Sequence, residues 1–112
     1  MNEVVISGVG LWKPAHSISN EELVESYNAW AASFNAENRE AIDAGEISSK
    51  PLSSAEFIEK ASGIKNRYAY KKEGILDITR MRPKIERRRE DELSHQGEMA
   101  LHAAKLAMAS AA

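Results

Sequence analysis

The chain has 112 residues, 43% of them hydrophobic and 29% charged, with a formal net charge of −2 and no cysteine. That length accommodates one domain at most, with a modest core. The charge balance predicts no general affinity for nucleic acid or anionic membrane. The missing thiols exclude disulfides, thiolate metal sites and cysteine nucleophiles within these residues, and no apolar stretch approaches the ~20 residues that span a bilayer.

Residues 3–10 carry Val4, Val5, Ile6 and Val9. A short β-branched run of this kind predicts a strand buried on both faces, as in sheets covered by helices. Gly8 and Gly10 permit a close turn, and Pro14 keeps the next residues irregular. With Glu3 beside the start and a strand following at once, the N-terminus does not read as a signal peptide, and a cytoplasmic location is the expectation. Ser19 and Glu22 have the spacing of a capping box, with Ile18 and Leu23 at staple positions, so a helix is expected from Asn20 to about residue 44. Leu23, Tyr27, Trp30, Ala31, Phe34, Ala41 and Ile42 keep helical spacing along it, and Gly45 is its stop. Asn35 and Asn38 could each cap a second helix, so one helix or two remains open at this level.

Residues 46–53 read as a polar loop. Ser53 with Glu56 forms a second capping box, and Leu52 with Phe57 a second staple, which predicts a short helix over 54–62. Gly63 falls where a left-handed residue ends a helix. A strand follows at about 65–70, with Ile64, Asn66 and Tyr68 on one face. Residues 71–91 lack sustained periodicity and read mostly as loop. The last helix is expected over 92–110 with Asp91 as N-cap, its face rich in small residues that allow close approach.

Gly8-Val9-Gly10 is not a dinucleotide fingerprint, because Lys13 stands where the third glycine belongs and Pro14 breaks the turn into a helix. His16, His95 and His102 read as ordinary histidines. The last two, seven apart on a helix, would lie roughly 10 Å apart along its axis, too far to share one metal. The run from Arg80 to Arg89 holds six basic residues and one acid. It reads as a solvated loop flanked by Glu90, Asp91 and Glu92, or as a docking patch for an acidic partner.

Three segments, in order, resemble β-ketoacyl-acyl-carrier-protein synthase III, a thiolase-like condensing enzyme. They are Val4 to Gly10 with Pro14 and Ser19-Asn20-Glu21-Glu22-Leu23; Ser62-Gly63-Ile64 followed by Arg67; and Leu93-Ser94 with Gln96 through Ala100, Ala103, Ala104 and Lys105. The resemblance implies an α/β fold, the N-terminal portion of a thiolase-like layered domain with a mixed sheet. Residues 1–112 would form that portion, with a helical insertion at about 28–53. It implies decarboxylative condensation of an acyl primer with malonyl-acyl-carrier protein in fatty acid biosynthesis. The family's cysteine nucleophile has no counterpart here, so the chain is expected to be the N-terminal piece of a longer acyltransferase, to hold no catalytic residue and to be inactive alone. Acyl-coenzyme A and malonyl-acyl-carrier protein would be substrates, with no further cofactor and no metal. The implied partners are acyl-carrier protein and a second copy in a homodimer, with neither nucleic acid nor membrane. Phe57 matches a position, often tryptophan in the family, that stacks on the adenine of coenzyme A, and is the candidate substrate-binding residue. Ala61 stands where the family carries a basic residue. A reading from another class is a small binding module whose basic loop docks an acidic protein.

Overall fold

Helix α1 (Asn20–Glu37) begins as its sequence dictates. The Ser19 hydroxyl accepts from the Glu22 amide at 3.2 Å, and the Glu22 carboxylate accepts from the Ser19 amide at 3.0 Å. Two orphan amides are thereby satisfied by one pair of side chains. The computed structural model describes residues 2–111. Its remaining elements are β1 (His16–Ser19), α2 (Arg39–Asp43), α3 (Ala55–Ser62), β2 (Asn66–Ala69) and α4 (His95–Ala111). The arrangement is α/β, with one antiparallel pair of strands among the described residues. The chain divides into two units: Pro14–Ile85, and Met1–Lys13 together with Glu86–Ala112.

In the first of these, β1 pairs with β2 so that Ile18 lies opposite Arg67 and Ser19 opposite Asn66. The pairing continues into the helix. The Asn20 amide donates to the Lys65 carbonyl at 3.0 Å, and its side-chain amide donates to the Ile64 carbonyl at 2.6 Å. Residues 16–19 were expected to be irregular after Pro14. A short polar strand can form here because it needs only one apolar anchor, and Ile18, 2% exposed, supplies it. Directly opposed residues share a face, so Arg67, half-buried opposite Ile18, is on the covered side and Tyr68 is on the open one. This keeps the face expected from the sequence, since Ile64, Asn66 and Tyr68 are all exposed and Arg67 and Ala69 are half-buried. Ala31, fully buried in α1, completes a very small core.

The long helical stretch is two helices. Asn38 joins them, and both its backbone and side-chain amides donate to the Phe34 carbonyl, at 3.0 and 2.8 Å. Asn38 therefore closes α1 and makes no side-chain cap for α2. Past α2, Gly45 takes φ +75°, with its amide on Ile42 and the Glu46 amide on Ala41, which is the Schellman pattern. Gly63, at φ +72°, ends α3 in the same left-handed region as expected. The cap of α3 is Ser54, not Ser53: its hydroxyl accepts from the Phe57 amide at 3.1 Å. Ser53 is committed elsewhere, as described below. Residues 71–91 form turns without helix or strand, consistent with the loop reading.

In the second unit, residues 3–10 are not a strand, which corrects the sequence expectation. A Cβ on Gly8 would meet the Ala107 carbonyl at 2.5 Å and the Ala111 amide at 2.7 Å; one on Gly10 would meet the Ala103 carbonyl at 2.2 Å and the Ala107 amide at 2.4 Å. The segment thus lies directly on the α4 backbone, and these glycines serve close approach instead of a turn. One four-residue step along a helix spans about 6 Å, and two residues of chain reach at most about 7 Å, so the segment is nearly stretched out. It has the reach of a strand and lacks the ladder: no strand pairs with it among the described residues. Val4 is 97% exposed and Ile6 88%. Helix α4 starts at His95, later than expected, because Ser94 and not Asp91 caps it: the Ser94 hydroxyl accepts from the Gly97 amide at 3.0 Å.

Candidate functional site

The loop between α2 and α3 is held against α1 by amide side chains. Asn28 donates to the Ser53 carbonyl at 3.0 Å and accepts from the Ser53 amide at 2.8 Å. Two helical turns later, Asn35 donates to the Lys50 carbonyl at 2.9 Å and accepts from the Lys50 amide at 2.7 Å. Each asparagine pairs with a backbone residue as a strand neighbour would, satisfying two main-chain groups at once. Between them the Tyr27 hydroxyl donates to the Pro51 carbonyl at 3.0 Å. Lys50 also lies over the Phe34 ring, 5.1 Å from its centre, within a row in which the Tyr27, Trp30 and Phe34 rings meet at tilts of 41° and 36°.

That clamped loop, α1 and α3 form three walls of a groove of about 810 Å³. Leu23, Val24 and Tyr27 face it from α1, Pro51 and Leu52 from the loop, and Phe57 and Ile58 from α3. Met81 reaches it from the 71–85 segment. None of the lining residues is charged, and the size suits a small-molecule site. Phe57, the substrate-binding candidate, is therefore on a groove wall, with its side chain largely open to solvent at 66% exposure. It is not a buried staple partner of Leu52, which is equally open at 65%. Ala61 and Lys60 do not line the groove. Arg67 lies on β2, and its Nη1 is buried without a hydrogen-bond partner among the described residues.

Sequence reasoning did not place Asn28 or Asn35 against the loop, having offered Asn35 only as a cap for a second helix although it lies within α1, and it did not reach Met81. The first two left a signal: asparagines seven apart interrupting an apolar helical stripe, where asparagine is usually disfavoured unless it bonds to neighbouring backbone. Met81 left none. It is the one non-glycine residue with positive φ among those described, at 50°. Its amide donates to the Asp77 carbonyl at 2.7 Å, and the next amide, Arg82, donates to the Gly74 carbonyl. The Thr79 hydroxyl and amide both bond to the Asp77 carboxylate and hold it below its usual range.

Most of the basic run is engaged by the chain itself. Arg80 donates to the carbonyls of Arg82 and Pro83, Lys84 pairs with Glu73 at 3.6 Å, and Arg89 pairs with Asp91 at 2.6 Å. Arg88 pairs with Glu98 at 2.5 Å and donates to the Leu93 carbonyl; its guanidinium holds the Glu98 carboxyl below the ordinary range. The solvated-loop reading fits this internal pairing better than a docking patch does. His102 stacks on Trp12 with ring centres 5.1 Å apart, and His16 lies on β1 opposite Ala69. No group of three metal-ligating side chains occurs among the described residues, and no helix among them is long and apolar enough to cross a membrane.

No family profile matches the chain. Over 85 residues, 76% of its length, the chain is 47% identical to the β-ketodecanoyl-[acyl-carrier-protein] synthase of Pseudomonas aeruginosa. It spans 24% of that protein's length. The resemblance carried by Ser62-Gly63-Ile64 and its companion segments thus has a curated counterpart of the same enzyme type.

Proposed function

We propose that this chain, a relative of a β-ketoacyl-acyl-carrier-protein synthase, is the N-terminal part of a thiolase-like condensing enzyme of fatty acid biosynthesis. The observation that carries the reading is the 47% identity over 85 residues. The proposed reaction joins an acyl primer to the two-carbon unit of malonyl-acyl-carrier protein with loss of carbon dioxide. Such a reaction needs a thiolate to hold the acyl group and donors to stabilise the developing oxyanion. This chain has no cysteine. The covalent step therefore falls to residues outside it, and its own contribution is binding. Phe57 is the proposed substrate contact, acting from the wall of the groove. Residues 28–53 are proposed as a helical insertion that builds the opposite wall. Acyl-carrier protein and an acyl-coenzyme A or other acyl primer are the proposed partners. A homodimer in the cytoplasm, without cofactor or metal, is the proposed setting.

The test is a condensation assay with a protein in which this chain is joined to the remainder of a synthase. Incubation with acyl-coenzyme A and malonyl-acyl-carrier protein should yield a β-ketoacyl product and carbon dioxide, and Phe57→Ala should raise the primer KM. The 112-residue chain alone should form no acyl adduct by mass spectrometry. A stoichiometric adduct on the isolated chain, stable to denaturation, would overturn the reading.

A further inference from the structure

The aromatic row on α1 borders a second, smaller hollow of about 250 Å³. Trp30, Ser33, Phe34 and Glu37 line it from α1, and Ile78 and Thr79 from the 71–85 segment. All six lie within the Pro14–Ile85 unit. The Trp30 and Phe34 rings have centres 5.5 Å apart and are tilted by 36°, so they are not stacked on each other. The Ser33 hydroxyl donates to the Glu37 carboxylate at 3.2 Å and steadies it. Glu37 enters no ion pair among the described residues, and no lysine or arginine is in the lining.

Two further observations give the sign of the charge that belongs there. Glu37 is the last residue of α1, whose final turn carries no basic side chain. The carbonyl end of a helix holds a partial negative charge that a cation answers. The row also accepts a cation already, since the Lys50 ammonium lies 5.1 Å from the Phe34 ring centre without being part of the hollow's lining. An anion would be repelled by both Glu37 and the helix end.

The kind of cation follows from the acceptors. A primary ammonium brings three N–H donors that need partners. Glu37 is the one charged acceptor in the lining, and the Thr79 hydroxyl is committed to Asp77. Donors taken from water and left without partners are costly. A quaternary ammonium has no N–H, and its positively polarised methyl groups are attracted to ring faces.

We propose that this hollow binds a quaternary ammonium group, with Trp30 and Phe34 as its ring walls and Glu37 as the counter-charge. The proposal is independent of the condensing-enzyme reading and of the groove that holds Phe57.

The experiment follows the indole N–H signals of the nitrogen-labelled protein by NMR. The chain has two tryptophans, so Trp30 is assigned by Trp30→Phe and Trp12 is the internal control. Choline, ethanolamine and dimethylbutanol, the neutral carbon isostere of choline, are titrated in turn. The first has charge and methyl groups, the second charge alone, the third methyl groups alone. The Trp30 signal should move saturably with choline, and choline should bind at least about fivefold more tightly than either of the others. Glu37→Gln, at an exposed position, should weaken choline binding about fivefold, the upper end for a surface ion pair, with the unfolding midpoint unchanged. A Trp30 signal indifferent to choline would overturn the proposal. So would equal affinity for ethanolamine or dimethylbutanol, choline binding unaffected by Glu37→Gln, or a Trp12 signal that moves as Trp30 does.

Discussion

Asn28 and Ser53 exchange two hydrogen bonds, 3.0 and 2.8 Å long, between a helical side chain and a loop backbone. Ser53 immediately precedes Ser54, the N-cap of α3, so the same contact sets where the helix bearing Phe57 begins. Asn28→Ala removes both bonds and leaves two partly buried backbone groups to water. A loss of roughly 1–3 kcal/mol is expected in urea unfolding, with faster amide exchange at residues 50–54. Unchanged exchange in that loop would show that Asn28 does not hold it.

The two neighbouring serines should respond differently to the same substitution. Ser54→Ala removes a side-chain cap and should cost about 1 kcal/mol. Ser53→Ala keeps the backbone groups that Asn28 grips and should cost a few tenths at most. Denaturant midpoints of the two variants check this, and equal losses would contradict the assignment of the cap.

Glu22 links the start of α1 to Lys72, 2.6 Å away. The hydrogen bond from Lys72, with a second from the Ser19 amide, lowers its carboxyl below the ordinary value. A carboxyl depressed in the folded state adds stability that is present above its unfolded value and lost as the pH falls through the folded one. The unfolding midpoints of the native protein and Lys72→Met should therefore differ most near neutral pH and converge in acid. The difference should be modest, since both side chains are about two-fifths exposed and water screens them. A gap that widens in acid would reverse the sign and refute the pairing.

Gly10→Ala places a methyl group 2.2 Å from the Ala103 carbonyl and 2.4 Å from the Ala107 amide, both backbone atoms of α4. Residues 3–12 should lift from α4, and Trp12 should lose its stacking on His102. Tryptophan emission should shift to the red. An unshifted spectrum would mean that the segment does not rest on the helix.

The elements whose cause lies within a few residues were legible in the sequence. The Ser19–Glu22 capping box, the left-handed stops at Gly45 and Gly63 and the strand at β2 depend only on local chemistry, and each forms within a residue or two of its expected place. What depended on a distant partner was not legible. β1 exists because Ile18 finds cover and the Ser19–Asn66 end continues into Asn20. Residues 3–10 have strand residues but, among the described residues, no strand beside them. The α3 cap moves from Ser53 to Ser54 because Asn28, 25 residues away, claims Ser53 first. In the groove, Phe57 was identifiable from the segment around Ser62-Gly63-Ile64. Met81 was not, because its positive φ follows from bonds to Asp77 and Gly74 that no spacing announces.

The two glycines seated on α4 also act as a lock against sliding. Gly8 sits over Ala107 and Ala111, and Gly10 over Ala103 and Ala107, so the segment and the helix run in opposite directions, two residues to each helical turn. Because the two periods nearly match, a slip of two residues would otherwise cost little geometrically. The slip would bring Ile6 or Trp12 onto a seat that has no room for even a methyl group. Only one alignment is open, and the missing side chains of the two glycines select it. Positions 8 and 10 are therefore held to glycine whatever side chains stand at 103 and 107: a larger residue at either glycine is tolerable only if the helix backbone itself moves away, which a smaller residue at 103 or 107 cannot arrange.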